Sequence, residues 1–447
     1  MKKNVRGRLG VGIAILGLVS TMAVTTAGAS ATLNGDLTFA SSDAASSINP
    51  AMGGSSFDEP FFNAAIPVYM SAAAKVSGSN APNSMSLYSP TGSSAGKKGV
   101  IGGTYTVGAS DVPMGTSVNG TNLDASLLTG TSAATTLNSY VQIPVVLGGV
   151  GLMYNLPSLT KKFGKYPVVL TSSLLAQVYD GAITRWNNPA ICRRNPKIAN
   201  VRVIRNKKHK IIRKISNCAL PNIPIVPVYR ADGSGTTFIF MDYLNQTQGA
   251  NFKNLTTSAE VYPSTSFNQG QVPSNALGGQ KNAGVAADVE STVGGIGYVE
   301  YSYILLQHTL PSALIVNAKG QNEALTQGSI GADAAAFAST PPAESATGVV
   351  SNFSIVNGKA SGDYPISGYS WAIVRQDWNG LTVGGVTGIT AEKLVAKFLD
   401  WCTQSGANGG QTVAQQQGYV PMPSYVSALA QQQISTMTYN KVPLGLS

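Results

Sequence analysis

Three short segments carry the residue types needed to hold a small anion. They read GGSSFDEPFF from Gly53 to Phe62, PTGSSAGKKGV from Pro90 to Val100, and RADGSGTTFIF from Arg230 to Phe240. Each sets glycines and hydroxyl side chains just ahead of an apolar run with helical spacing. A helix start offers unsatisfied N–H groups and the positive end of the helix dipole, so it attracts negative charge. Any one of the three also fits an ordinary helix N-cap. Three together, one with an arginine beside it, point to a shared anion. The middle segment approaches a nucleotide-binding P-loop but fails it twice. Only three residues separate Gly92 from Gly96, and Lys98 stands where the Mg²⁺-binding hydroxyl belongs.

Covalent chemistry has little support. The two histidines are His209, inside a basic stretch, and His308. A Ser-His-Asp triad would have to use His308, and no G-x-S-x-G elbow exists, since DGSGT has the wrong spacing. Without a base the serines read as donors rather than nucleophiles. Asp111, in VGASDVPM, and Asp232 could pair as acids, although carboxylates usually cap or solvate. No Cys/His spacing suggests zinc, and no cofactor is expected. Aromatic residues do not interleave with a basic track outside one segment, which disfavours a nucleic-acid surface.

The elements that must position these loops alternate along the chain. GDLTFASS from Gly35, GGTYTVGASD from Gly102, QIPVVLGGVGLMYN from Gln142 and NIPIVPVYRAD from Asn222 read as strands. EPFFNAAIPVYMSAAAKV, TSSLLAQVYDG, GTTFIFMDYLNQ and NAGVAADVEST read as helices. The alternation predicts an α/β chain with mostly parallel sheets, whose small-molecule sites lie at strand C-termini and helix N-termini. The Gly/Ser/Thr-rich stretches from Pro113 and from Ser339 read as surface connections. The basic stretch reads as a third irregular region.

The first residues resemble a secretory signal peptide. Lys2, Lys3, Arg6 and Arg8 precede an apolar run from Leu9 to Val24, and TTAGASA offers cleavage after Ala29 or Ala31. The competing reading is a membrane anchor, for which the run is short and broken by Gly and Ser. Residues 1–31 are therefore expected to be removed, with no lipid-attachment cysteine and a periplasmic or extracellular location. Only 11% of residues are charged and 49 are Gly, which suits a compact, loop-rich exported protein better than a disordered one.

The net charge of +10 misleads. Without the four leader cations it is +6, and without the ten between Cys192 and Cys218 it is −4. CRRNPKIANVRVIRNKKHKIIRKISNC holds no Asp or Glu, so the chain is mildly acidic with one basic insert. In an exported protein the bracketing Cys192 and Cys218 suggest a disulfide, the alternative being two separate thiols. Cys402 shares a helical face with Leu394, Val395, Phe398 and Leu399, which suggests a buried core thiol.

Taken in order, several motifs match one family. They are SSFDEPFF, YSPTGSSAGKKGVIGGTYTVGASDVPM, QIPVVLGGVGLMYNLP, VYDGAITRWNNPAI, VPVYRADGSGTTFIF, GGIGYVEYSYI and YPISGYSWAIV with KLVAKFLDW. The chain resembles the phosphate-binding protein of the high-affinity phosphate ABC transporter over nearly its whole exported length. The basic insert is a departure from that family.

The resemblance implies a class II periplasmic-binding-protein-like fold: two α/β lobes, each a mostly parallel sheet flanked by helices, joined by two crossing strands. Lobe I would comprise 32–145 and 305–447, and lobe II 146–304 with the insert 192–218. It implies one orthophosphate between them. Ser56 would supply a hydroxyl where the family usually has Thr, and Phe57 a backbone N–H. Ser93 would donate, Asp111 accept, and Arg230 act as the charged fork. Ser234, Gly235 and Thr236 would donate from the next helix, with Asp232 orienting Arg230. Lys97 and Lys98 are not family ligands and are expected in solvent. The implied partners are phosphate and ABC permease subunits, with no enzymatic turnover and a monomeric state. The runners-up are an exported phosphatase-like hydrolase on the same scaffold and an envelope-binding or adhesion protein. Residues 193–214 could steer phosphate, hold an anionic envelope surface, or form a solvated loop.

Overall fold

The computed structural model describes residues 49–77, 85–118, 120–128, 137–164, 166–248, 273–307, 309–383 and 386–444. The leader, the strand expected from Gly35 and His308 lie outside them. Ten strands and five helices carry the argument. The strands are β1 (Met52–Gly54), β2 (Ser89–Pro90), β3 (Val107–Ser110), β4 (Tyr140–Tyr154), β5 (Ala199–Arg205), β6 (Ile211–Cys218), β7 (Val226–Arg230), β8 (Leu277–Gly279), β9 (Gly295–Glu300) and β10 (Ser367–Arg375). The helices are α1 (Glu59–Ser77), α2 (Ser93–Ile101), α3 (Gly235–Gln248), α4 (Lys281–Ser291) and α5 (Gly388–Thr403).

One sheet runs through the molecule in the order β8-β7-β9-β4-β10-β3-β1-β2. Its wings are parallel: β1 pairs with β2 and β3, and β7 pairs with β8 and β9. Its middle is antiparallel, because β4 and β10 run between the wings. The first part of β4 pairs with β10, Tyr140 opposite Arg375 through Gly149 opposite Ser367. Its last part pairs with β9, Val150 opposite Glu300. β4 is 15 residues long and buried throughout. Its near-continuous apolar sequence is what a strand covered on both faces requires. The expected mixed architecture, two parallel groups and two crossing strands, is therefore present. Leu314–Val316 pairs in parallel with Val169–Leu170, two stretches that a division at 305 assigns to different lobes.

Helices cover the sheet. In α5, Leu394, Val395, Phe398, Leu399 and Cys402 are all fully buried, and Cys402 carries a free thiol. Among the described residues no helix is long and apolar enough to cross a membrane.

Two expectations are corrected. The basic insert is not irregular: β5 and β6 form an antiparallel hairpin, closed at its base by a Cys192–Cys218 disulfide with Cα atoms 5.6 Å apart. Its β-branched Val201, Val203, Ile204, Ile211, Ile212 and Ile215 favour a pleated strand despite the charge. Asn206 makes the turn, its side-chain oxygen accepting the N–H groups of Lys208 and Lys210 at 3.0 Å, with His209 in the left-handed region at φ 59.

Lys97 is not in solvent. It is fully buried and paired with Asp124 at 2.7 Å. Ser93, Gly96, Lys97 and Val100 fall on the inward face of α2 at three- and four-residue spacing, so the helix carries Lys97 inside with them. Lys98, one residue on, is exposed as expected.

Candidate functional site

The three loops meet between the two wings of the sheet. The chain leaves β2 and turns at Gly92, whose φ of 99° suits glycine, to enter α2 at Ser93. A Cβ on Gly92 would lie 2.7 Å from Asp232 Oδ2, so this loop abuts the Arg230 loop closely. The Ser94 N–H donates to the Gly233 carbonyl at 3.3 Å across the same gap. Gly235 opens α3 so close to Asp111 that a Cβ there would fall 2.5 Å from the Asp111 Cβ.

Ser93 ties the two sides together. Its Oγ accepts the Asp111 N–H at 3.3 Å and the Gly235 N–H at 3.0 Å. A hydroxyl has two lone pairs and one proton. With both lone pairs occupied, the Ser93 proton is left to donate. Ser56 has the same arrangement: its Oγ accepts the backbone N–H and the side-chain Nδ2–H of Asn282, both at 3.2 Å. Asn282 is held in turn by the Glu300 N–H, which donates to its Oδ1 at 3.3 Å.

Arg230, at the end of β7, is 1% exposed. Its Nε donates to Asp232 Oδ1 at 2.8 Å, its Nη2 to Asp232 Oδ2, and its Nη1 to Thr236 Oγ1 at 3.3 Å. A guanidinium has five N–H donors. Three are thus fixed, leaving one on each terminal nitrogen. Asp232 thus holds the fork from one side and is itself anchored by the Lys281 N–H at 2.9 Å. Burial alone would raise the Asp232 carboxyl, but the hydrogen bonds and charge of Arg230 hold it below its ordinary value. Ser234 Oγ accepts the Thr237 N–H at 3.1 Å, completing the first turn of α3.

Two expected donors point elsewhere, and one is the Gly235 N–H, taken by Ser93 Oγ. The Phe57 N–H donates to Ser55 Oγ at 3.0 Å, because a serine two residues back closes a local turn. The Phe57 ring is fully buried, 6.2 Å from the Tyr419 ring centroid. Phe57 therefore shapes its loop from the core, and its N–H is engaged within the loop.

The sequence reading missed an acidic layer behind Asp111. Ser370 Oγ lies 2.6 Å from Asp111 Oδ1 and 2.8 Å from Asp58 Oδ2. Ser370 sits on β10 at a register shift against β4: it pairs with Val146 and Trp371 with Pro144, leaving Val145 as the extra residue. Burial, reinforced by the Asp111 charge, pushes the Asp58 carboxyl well above its ordinary range. Burial also pushes Glu300 up to about 8, against hydrogen bonds from Ser302 that favour its charge. Asp111, Asp58 and Glu300 are all nearly or fully buried. Asp58 immediately precedes α1 and reads in sequence as an ordinary cap, while Ser370 lies inside the YPISGYSWAIV stretch and Asn282 inside a helical stretch, neither with a role assigned to it.

Two wings of parallel strands, bridged by two long antiparallel strands, with helix N-termini converging between them, define a two-lobed solute-binding protein. The PBP superfamily domain matches residues 25–405, and the chain belongs to that superfamily. Among curated relatives, the phosphate-binding protein PstS of Xylella fastidiosa is 30% identical over 336 residues, 75% of this chain and 73% of its own. That of Haemophilus influenzae is 29% identical over 354 residues, 78% of this chain and 84% of its own. Solved structures share the fold. A high-affinity periplasmic phosphate-binding protein, PfluDING, bound with phosphate, aligns with a TM-score of 0.59 at 20% identity, covering 86% of this chain and 93% of that one. A phosphate-binding protein from Stenotrophomonas maltophilia aligns at 0.53 and 20%, with the same coverage.

Proposed function

We propose that this chain is an extracytoplasmic solute-binding protein that captures inorganic orthophosphate between its lobes and delivers it to an ABC-type permease. The observation that carries the proposal is the locked polarity of the site. Ser56 and Ser93 have their lone pairs occupied, so each offers a proton, and Arg230 offers two more. Against these donors stands Asp111, nearly fully buried. HPO₄²⁻ and H₂PO₄⁻ still carry a proton that this carboxylate accepts. Sulfate carries none at neutral pH and would meet a like charge to which it has no proton to give. Burying an ion without partners costs several kcal/mol, so such a site rejects the wrong anion strongly.

In this reading Ser56, Ser93, Arg230, Ser234 and Thr236 donate and Asp111 accepts, with Asp232 orienting Arg230 and the Gly235 N–H holding Ser93. The relatives' names, phosphate-binding protein PstS, agree with it. The strand pairing favours β10 as the return crossing between lobes, with 314–316 on the side of 169–170. The protein acts as a monomer and turns nothing over. Titration calorimetry with phosphate and sulfate, alongside a chromogenic phosphate ester, tests this. Stoichiometric phosphate binding without ester hydrolysis is expected. Hydrolysis would favour the phosphatase-like alternative.

A further inference from the structure

The hairpin of β5 and β6 presents a second surface, unlike the anion site in its chemistry. It holds Arg202, Arg205, Lys207, Lys208, Lys210, Arg213 and Lys214, all exposed, and no Asp or Glu. Charge alone would suit any polyanion. The aliphatic side chains are what discriminate. Val201 is 61% exposed, Ile212 62%, Ile211 47% and Val203 38%. Cross-strand partners share a face and residues two apart repeat it. Val201 and Val203 therefore lie beside Ser216 and Lys214, their partners in the ladder. Ile211 and Ile212 sit next to the turn, among the densest cations. A strand pair whose apolar side chains stand in water between cations lowers its free energy where negative charge and hydrocarbon lie within a few ångströms of each other. A bilayer of anionic phospholipid supplies both, attracting cations at the headgroups and accepting aliphatic groups at the acyl boundary. A soluble or wall-bound polyanion supplies only the first.

We infer that this disulfide-closed hairpin docks the protein on an anionic phospholipid membrane, with Val201, Val203, Ile211 and Ile212 entering the interface between phosphate-contacting Arg and Lys side chains. The disulfide and the pairing of Ala199 with Cys218 fix the base of the hairpin, so docking needs no refolding. The inference goes beyond anion capture and does not depend on it.

The test is co-sedimentation of the full chain with phosphatidylcholine vesicles containing or lacking phosphatidylglycerol, at low and high salt. Binding is expected only with phosphatidylglycerol and should weaken as salt rises. The double variant V201S/I212S should lower the partition coefficient at least about fivefold, the loss expected from two partly buried aliphatic groups. It should leave retention on a soluble polyanion, polyphosphate, unchanged. Both positions are exposed, and phosphate titration of the same samples reports whether the fold and the anion site survive. Absence of binding to phosphatidylglycerol vesicles overturns the inference. So does equal vesicle binding by the variant and the parent, which would make the hairpin a general polyanion contact. Loss of phosphate binding alone would strike the function proposed above and leave the docking surface intact.

Discussion

The Ser370 hydroxyl lies 2.6 Å from Asp111 Oδ1, and the same oxygen lies 2.8 Å from Asp58 Oδ2. One hydroxyl has one proton and cannot donate to both carboxylates. Burial, reinforced by the Asp111 charge, raises the Asp58 carboxyl and favours its protonated form, the form that can donate to Ser370. Ser370 passes its own to Asp111. The chain of donors fixes one oxygen of Asp111 and lets two carboxyl groups share a dry space with a single negative charge. Ser370→Ala removes the donor to a charged group, worth about 1.5–3 kcal/mol. Phosphate affinity should fall roughly ten- to a hundredfold. Asp58→Asn keeps a donor facing Ser370 and should change affinity less than about threefold at pH 7. Calorimetric titration of both variants checks this; equal losses in the two would refute the ordering of protons.

In the proposed reading Asp111 is the discriminating group, so Asp111→Asn should separate affinity from selectivity. The amide donates where the carboxylate accepts. Phosphate binding should remain measurable, while the preference over sulfate, of order 10⁴ in sites of this kind, should shrink by a factor of about 10² or more. Competition of sulfate against bound phosphate measures it. Undiminished selectivity in the variant would remove Asp111 from that role.

What the sequence disclosed and what it hid follow from the range of the interactions. Arg230, Asp232 and Gly235 lie within six residues, and their geometry is local turn chemistry, legible from the segment itself. Ser93 and Asp111 are eighteen apart but sit on one α2–β3 unit. Asn282 reaches Ser56 across 226 residues and Ser370 reaches Asp58 across 312. No periodicity encodes those contacts; they exist only after β4 and β10 bring the wings together. Lys97 is a different failure. The buried-face spacing of Ser93, Gly96, Lys97 and Val100 is in the sequence, but the family resemblance, in which neither Lys97 nor Lys98 is a ligand, sends both lysines to solvent. Phe57 shows the converse, a residue in one of the three loops whose N–H is captured by the neighbouring Ser55.

Asn282 positions Ser56 without being one of the expected phosphate donors. It fills both lone pairs of the Ser56 hydroxyl and so dictates which way the proton points. Asn282→Ala deletes the side-chain bond and should weaken phosphate binding about fivefold, the yield of one neutral hydrogen bond. Its effect should overlap with that of Ser56→Ala. In a double-mutant cycle the two losses should fall short of adding, since they act through one proton. Additive losses would mean that Asn282 acts elsewhere.

The buried Lys97–Asp124 pair should matter for stability and leave the anion site alone. Asp124 also accepts the Gly115 N–H at 2.9 Å, which pins the loop after β3. Asp124→Asn leaves a buried ammonium without its counter-charge and should cost about 3–5 kcal/mol. Replacing both partners, Lys97→Met with Asp124→Leu, should recover much of that loss. Denaturant unfolding gives the numbers, and phosphate affinity of the folded single variant should stay within about twofold of the parent. A single variant as stable as the parent would show that the pair does not hold the loop.

Glu300 contributes to the pH dependence of the phosphate-free protein's stability. Its folded value, about 8, lies above its ordinary value of 4.5. The folded state therefore keeps a proton that the unfolded chain releases. The resulting stabilisation is complete below about pH 4.5, declines as pH rises, and is gone above about 8. Asp58 shifts the same way for the same reason, burial, and adds to the decline. Unfolding free energy should thus fall by a few kcal/mol between pH 5 and pH 9. Glu300→Gln keeps the acceptor for the Ser302 N–H and removes the ionisation. The variant should lose stability with pH less steeply than the parent across that window, and Asp58→Asn should flatten it further. Parallel profiles for parent and Glu300→Gln would show that Glu300 ionises in the folded protein at no cost, contrary to its burial beside Asp111.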